Sequence, residues 1–489
     1  MAAQTSARGH GSSRLILMRP ADIAVLLGIG SAAWLFDLAI QSGGIGVAFS
    51  ASLVVAAGAL VVAGRPSNGW SRLLLAAASV MAPWVTLRAS PWLQWPDLIV
   101  TIGLLSLGAV LASEGSPFSV SSALAREWIA RLSSNMAHAA AFIAAPLSAA
   151  GARLTGDKRP VVKQIGRGLA IAIPVAGVIG FLLASADPVF ASFFNLQIDP
   201  ATIIEHVFWL FVGAWVMGGL LRTSLTAPTA AREGRHWRIN PLEAIVVLVV
   251  VDAIFLAFGA AQLITTLGGG IEALHAANMT YADYARSGFF QLLAVAAITL
   301  PLLMVLTTLS GTRTGRVRFF FTVLVELAVV LTMAIVVVAH QRLSLYETAY
   351  GFTMLRLYSH IFAFWIAIVF ALFAVITLRA EVDGRWFPGA AVVAGLALLF
   401  ALNIVNPEAL VVRFNASQSS ASHLLDPDYL AGLSDDAVPD LFKALPRIDP
   451  RQQTELRQQL CQRQESQNGG WAGYNLAQQA AKQAHGVCS

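Results

Sequence analysis

The sequence predicts an all-α, polytopic helical membrane protein of about eleven transmembrane helices, with a small α-helical extramembrane tail at its C terminus. Three observations lead to this prediction. Of the 489 residues, 57% are apolar and only 12% are charged, whereas a soluble domain carries about 25% charged residues. The mean hydropathy is +0.68. The apolar residues also form runs of about 20, the helix length that crosses the roughly 30 Å hydrocarbon core of a bilayer.

The apolar runs divide the chain into five parts. These are a cytoplasmic N-tail at 1–20, four spans within 21–113, a basic cytoplasmic loop with an interfacial helix at 114–167, a seven-span core within 168–405 and an extracytoplasmic helical tail at 406–489. The expected spans are 21–40, 44–64, 71–89, 97–113, 168–186, 203–222, 242–264, 288–309, 317–339, 359–378 and 387–405.

The basic residues predict the orientation of these spans. Short cytoplasmic loops are enriched in Lys and Arg. Counted over alternate loops, 21 of these residues lie on the side of the N terminus and four on the other side. We therefore expect the N terminus in the cytoplasm and the tail outside. The chain has a net charge of +5, and its basic residues are scattered between apolar runs. This distribution argues against a nucleic-acid partner. Membrane lipids, a small solute, an ion or another protein remain as candidate partners.

Both cysteines of the chain, Cys461 and Cys488, lie in the predicted outer tail. An oxidising compartment permits a disulfide between them, which would stabilise a small domain by about 3 kcal/mol. Two unpaired thiols are the alternative.

Two carboxylates are expected near the middle of the bilayer, where an ionisable side chain costs about 2.5–3.5 kcal/mol. Asp252 lies ten residues past Leu242 and Glu326 lies nine residues past Val317, which puts both at a depth of about 14–15 Å. Carboxylates at one depth could share a proton or hold a cation, as in a transporter. The alternative is a packing role, in which each carboxyl is protonated or hydrogen-bonded to a neighbouring polar side chain.

Three polar segments, 262–287, 340–358 and 403–415, are expected to meet at the outer surface. The positive-inside rule disfavours arginine there, so these arginines should have a packing or binding role. Arginines that are each matched to a carboxylate would form a structural clamp, whereas arginines that share an open pocket would bind an anion or a lipid headgroup. The candidate binding residues are Tyr281, Tyr284, Arg286, Arg342, Tyr346, Glu347, Tyr350, Arg356, Asn406, Glu408 and Arg413.

Motifs for catalysis or cofactor binding are not found in the sequence. It contains no phosphate-binding GxxxxGK[ST] loop, no HExxH pair and no GxSxG elbow. His340, Glu347 and His360 could form a metal site across a bend at Gly351, but a single His at an interface is more often a structural residue. The sequence therefore predicts no catalytic residue, no metal and no cofactor.

Several strings in the second half of the chain resemble a known family. TYADYARSGFFQL, RLSLYETAYGFTMLRLY, NPEALVVRFN and LSDDAVPDLFKALP are similar, in kind and order, to motifs of the bacterial polytopic membrane proteins of domain of unknown function 4173, which is closely tied to 4153. The resemblance runs from the seventh span to Asn475, and the first half is similar in hydropathy. It implies a multispan protein of the bacterial inner membrane and implies no activity.

Three functions are compatible with these patterns. The first is a transporter-like or solute- or lipid-headgroup-binding membrane protein with an outward-facing polar site. The second is a non-enzymatic envelope protein that binds or regulates a partner. The third is a membrane enzyme that acts on an extracytoplasmic or lipid-linked substrate, with Arg342, Glu347, Tyr350 and Glu408 as the polar groups.

Overall fold

A computed structural model of the chain describes residues 20–112, 122–155, 200–226, 239–264, 288–310, 315–379, 386–418, 425–463 and 470–488. Within these ranges, nine helical segments are long and apolar enough to cross a membrane. The chain is therefore an all-α, multi-pass membrane protein. Its helices up to the last span are α1 (Pro20–Gln41), α2 (Val47–Val62), α3 (Gly69–Met81), α4 (Trp84–Leu87), α5 (Pro91–Leu111), α6 (Ser122–Ala137), α7 (Ala139–Thr155), α8 (Pro200–Leu225), α9 (Pro241–Ile264), α10 (Phe289–Leu309), α11 (Gly315–Tyr350), α12 (Met354–Leu378) and α13 (Phe387–Val405).

The predicted spans correspond to these helices with two qualifications. The predicted span 168–186 lies outside the described residues. The predicted span 44–64 corresponds to α2, which is shorter than the other spans. Helices α3 and α4 form one span that is interrupted at Ala82 and Pro83, because proline has no N–H to continue the helical hydrogen bonding. Ser50 of α2 donates a hydrogen bond to the Ala82 carbonyl at this interruption (2.9 Å).

Helix α11 is longer than the sequence analysis predicts. It has 36 residues, which corresponds to about 54 Å at 1.5 Å per residue and exceeds the roughly 30 Å hydrocarbon core. The residues from 340 to 350, expected as part of a separate polar segment, continue this helix because no glycine or proline interrupts them. The chain turns at Gly351, whose φ of +75° lies in the region that glycine adopts without strain.

The segment between α5 and α8 also differs from expectation. In place of a loop with one interfacial helix, the described residues form α6 and α7, which both pack against α8. Glycines of α8 make this close approach possible. A side chain at Gly219 would meet Met136 of α6, and one at Gly218 would meet Ile143 of α7.

The C-terminal tail is a small helical unit. It contains α14 (Pro407–Gln418), α15 (Pro427–Ala431), α16 (Val438–Ala444), α17 (Pro450–Gln462) and α18 (Leu476–His485). Leu441, Leu456 and Leu460 form its core together with Met354 and Leu357 of α12. A disulfide joins Cys461 to Cys488, with their Cα atoms 5.6 Å apart. The tail is thus packed onto the end of a membrane helix and closed by a covalent bond.

The tail also binds the turn between α1 and α2. The N–H groups of Val47 and Ala48 donate to the carbonyls of Tyr474 and Ala472, each at 3.0 Å. We call this end of the helix bundle, formed by residues 42–46, 88–90, 351–353 and 406 with the tail, the tail end. The loops at this end are ones that the alternation of spans predicts on one side of the membrane.

Basic side chains link neighbouring helices at the opposite end of the bundle. Arg131 of α6 donates to the carbonyls of Val110 and Thr226, each at 3.1 Å. Arg222 of α8 donates to the Asn135 side chain at 3.0 Å. We call this the basic end.

Candidate functional site

A buried polar network connects the membrane helices to the tail. One oxygen of the Asp436 carboxyl accepts hydrogen bonds from the N–H groups of Ala89 and Ser90, at 2.7 and 2.6 Å. The other oxygen lies 3.4 Å from the Arg88 guanidinium. Burial raises the pKa of Asp436, while the two N–H donors and Arg88 act in the opposite direction. This side chain therefore fastens the tail to the turn between α4 and α5.

Glu408 lies beside this contact and is only 2% exposed. Its carboxyl accepts hydrogen bonds from the Ser90 hydroxyl (2.6 Å) and from the Ser434 N–H (2.8 Å) and hydroxyl (2.6 Å). Burial raises the pKa of Glu408, and the hydrogen bonds from Ser434 and Ser90 oppose that shift. Hydroxyl and amide groups, rather than a basic side chain, thus satisfy this carboxyl.

The network extends into the membrane helices through Asn403. Its carbonyl accepts a hydrogen bond from Arg88 Nε (2.8 Å), and its side-chain amide donates to Asp97 of α5 (2.8 Å). Asp97 is fully buried. Sequence reasoning missed Asp97 because it took residue 97 as the start of a span. The signal was available, since Ser90 followed by Pro91 is a typical helix start and places Asp97 well inside the helix.

A pocket of about 600 Å³ opens between this network and the tail. The first turns of α5 and α12 form the floor of the pocket, and the tail forms a wall of it. The Tyr429 hydroxyl accepts a hydrogen bond from the Met354 N–H (2.7 Å) and holds that wall in place. The residues that line the pocket are Pro91, Trp92, Thr353, Met354, Leu355, Glu408, Asp428, Tyr429, Gly432, Leu433, Ser434 and Arg463.

Two of the predicted site residues besides Glu408 lie in the tail contact. The Asn406 amide donates to the Asp436 carbonyl at 3.0 Å. Arg413 pairs with Asp440 at 3.0 Å, and its side chain is 64% exposed. Asn406 and Glu408 therefore belong to the network around the pocket, whereas Arg413 forms a surface ion pair.

Other predicted site residues lie on α11 and α12. Arg342 donates to the side-chain oxygen of Gln262 (3.0 Å). The Arg356 guanidinium lies over the Tyr346 ring, 4.2 Å from its centroid, and also donates to the Gly351 carbonyl. These arginines contact an amide, a ring and a carbonyl in the described part of the chain. Tyr281, Tyr284 and Arg286 lie outside the described residues, and so does the side chain of Tyr350.

Glu347, His360 and His340 form a hydrogen-bonded chain across α11 and α12. His360 Nε2 lies 2.9 Å from the Glu347 carboxyl, and His360 Nδ1 lies 2.7 Å from His340 Nδ1. Among the described residues, no group of three or more His, Cys, Asp or Glu side chains has the arrangement of a metal site. These side chains therefore join the two helices through hydrogen bonds.

The two carboxylates that the sequence predicts near mid-membrane, Asp252 and Glu326, lie on neighbouring helices, α9 and α11. Glu326 accepts a hydrogen bond from the Thr377 hydroxyl of α12. Asp252 is 2% exposed, and its carboxyl has no hydrogen-bond partner within the described part of the chain. The structure shows no hydrogen bond between these two described side chains.

Comparison with known proteins identifies a family. The family model described as "Domain of unknown function (DUF4153)" matches residues 72–444, which is more than half of the chain. The match begins in α3 and therefore includes much of the first half, where the short motifs gave no signal. Neither the curated proteins nor the solved structures contain a significant match.

Proposed function

This chain belongs to the family Domain of unknown function (DUF4153), and we propose that it binds a ligand in an outward-facing pocket that is closed by its own C-terminal tail. The pocket between α5, α12 and the tail supports this proposal. Its volume of about 600 Å³ lies within the range of small-molecule sites, about 300–1,000 Å³.

The chemistry of the pocket wall agrees with ligand binding. Acidic, basic, hydroxyl and aromatic side chains converge on it, and the acid Glu408 is almost fully buried there. A buried carboxyl in a cleft carries a desolvation penalty and is for that reason a candidate for a functional group. Asp252 and Glu326 are not part of the proposal, because neither of them lines this pocket.

We place the tail end of the bundle outside a bacterial inner membrane, with the N terminus in the cytoplasm. The excess of basic residues in the loops of the other side supports this orientation. A disulfide in the tail agrees with an oxidising compartment. A reporter fused after Ser489 tests the orientation, because it should be active outside the cytoplasm and inactive within it.

A single introduced thiol can test whether the pocket is occupied. Both natural cysteines form the disulfide, and no other cysteine exists in the chain. Thr353→Cys therefore places the one reactive thiol in the pocket wall. In native membranes, an impermeant maleimide added from outside should label this thiol slowly. Labelling should accelerate after detergent washing and slow again when an extract of the native membranes is added back.

Ser417→Cys is the matched control, because Ser417 is exposed on α14 and does not line the pocket. Its labelling rate should be the same in all three preparations. Equal rates for Thr353→Cys in the three preparations would show that the pocket holds no ligand and would reject the proposed function.

Partner binding by the tail is a second candidate function. Trp471, Tyr474 and Leu476 are 60%, 41% and 47% exposed, and exposed apolar side chains grouped on one surface indicate an interaction site. They lie beside the turn between α1 and α2, where aromatic side chains also favour the membrane interface. Photo-crosslinking from position 471 distinguishes the two cases, since protein adducts support a partner and lipid adducts alone reject it.

A further inference from the structure

We propose that the ligand of this pocket is a two-chain phospholipid whose headgroup carries an ammonium. This inference rests on the proposed function, because it identifies the chemical class of the molecule in the same pocket. Three observations support it: two apolar grooves on the flanks of α12, the side chain that the larger groove shares with the pocket, and an excess of acidic groups on the pocket wall.

The two grooves lie on the flanks of α12. The larger, about 360 Å³, lies between α10 and α12 and is lined by side chains that include Phe290 and Ala294. The smaller, about 210 Å³, lies between α12 and α13 and is lined by side chains that include Trp365 and Leu398. Each groove is formed by membrane-spanning helices. Their natural occupant is therefore an acyl chain of the surrounding bilayer.

The larger groove adjoins the pocket, and the smaller groove adjoins the larger one. Leu355 lines both the pocket and the larger groove. Tyr358 and Phe362 line both grooves and therefore separate them. The Tyr358 hydroxyl donates to the Trp92 carbonyl (2.8 Å), and the two rings lie 5.0 Å apart. A molecule with its polar end in the pocket could thus place one chain on each side of Tyr358.

The charges of the pocket favour a cationic group on the headgroup. Glu408 and Asp428 contribute carboxyls to the wall. Arg463 is the basic side chain of the wall, but it already pairs with Asp435 at 3.1 Å and donates to the Leu433 carbonyl at 2.7 Å. The hydrogen bonds to Glu408 come from uncharged groups, and Asp428 accepts one from the Gln459 amide (2.6 Å). An ammonium in the pocket would balance the charge of these carboxyls. A purely anionic headgroup would meet two carboxyls and an arginine that is already occupied.

Lipid add-back to the Thr353→Cys protein tests the inference directly. The detergent-washed protein is mixed with phosphatidylethanolamine, which carries an ammonium, or with phosphatidylglycerol, which carries only negative charge. Phosphatidylethanolamine should slow maleimide labelling at least about tenfold, and phosphatidylglycerol should leave the rate within about twofold, a difference of roughly 1 kcal/mol in binding.

Two pairs of variants identify the contacts. Ala294→Trp fills the larger groove from its exposed rim and should abolish protection by phosphatidylethanolamine. Ile298→Trp places the same side chain on the same helix, at a position that is 68% exposed and outside the grooves, and should leave protection unchanged. In the pocket, Asp428→Asn should reduce the preference for phosphatidylethanolamine, whereas Asp440→Asn, outside the pocket, should not.

The outcomes separate this inference from the proposed function. Protection by the aqueous fraction of the membrane extract, but by neither lipid, would overturn the lipid assignment and leave the proposed function standing. Equal protection by the two lipids, or stronger protection by phosphatidylglycerol, would overturn the ammonium assignment. Protection by nothing that is added would overturn both.

Discussion

Replacement of Asp436 by alanine should release the tail from the membrane helices. In the native chain, the Asp436 side chain is 1% exposed and pairs with Arg88. It also accepts the N–H groups of Ala89 and Ser90. Each buried donor that loses its acceptor costs about 1–3 kcal/mol, and a broken buried pair costs about 3–5 kcal/mol. The two figures are estimates of the same loss and are therefore not added together. We expect the free energy of tail docking to weaken by about 4 kcal/mol.

Amide hydrogen exchange measures this loss at Val47 and Ala48, whose N–H groups donate to carbonyls of the tail and not to Asp436. A factor of ten in exchange protection corresponds to about 1.4 kcal/mol, so protection of Val47 and Ala48 should fall by about 10³ in Asp436→Ala wherever tail opening limits their exchange. Asp440→Ala is the matched control. It breaks the pair with Arg413, whose side chain is 64% exposed, and such exposed pairs contribute about 0–1 kcal/mol.

The reasoning would be refuted by either of two results. The first is unchanged exchange at Val47 and Ala48 in Asp436→Ala. The second is an equal loss of protection in Asp440→Ala, which would show that burial of the acid does not set its contribution.

Three further predictions concern the tail. Loss of the disulfide through Cys461→Ser with Cys488→Ser should destabilise the tail by about 3.5 kcal/mol, since the closed loop spans 27 positions, and protease cleavage of the tail in urea should show the lowered midpoint. Because burial raises the pKa of Glu408, the docked tail binds more protons than the released tail, so docking should weaken as pH rises above the ordinary Glu value of about 4.3. Glu408→Gln should make docking of the tail less dependent on pH. Amide hydrogen exchange, corrected for its intrinsic variation with pH, measures this change. A side chain in Gly46→Ala would lie 2.5 Å from the tail backbone and should expose the tail to protease, whereas Gly58→Ala, which has open space around it, should not.

The membrane helices were largely predictable because hydrophobic burial in a bilayer requires a long apolar run. The positions of the helix ends were less predictable. The first turns of α5 contain Trp92, Gln94 and Asp97, which lower the local hydropathy, yet they are helical because Pro91 starts the helix and Asn403 of α13 hydrogen-bonds to Asp97. The polar segment 340–358 likewise begins as a continuation of α11 up to Tyr350, and the chain then turns at Gly351, where the bend was expected.

The candidate site was much less predictable. Glu408 and Asn406 were identified from their position after the last span, but Asp436, Arg88 and Ser434 were not. The contact between Arg88 and Asp436 joins residues 348 positions apart, and no periodicity or spacing in one sequence encodes such a pairing. The pocket depends on that contact, because the tail forms one of its walls. Its existence follows from tertiary packing rather than from a local motif.

The most direct test of the central claim is a cryo-electron microscopy map of the full chain in nanodiscs made from native membrane lipids. We predict density for a non-protein molecule in the pocket between Thr353 and Arg463, with two extensions that run along either side of Tyr358. An empty pocket, or a tail detached from the turn between α4 and α5, would contradict the account.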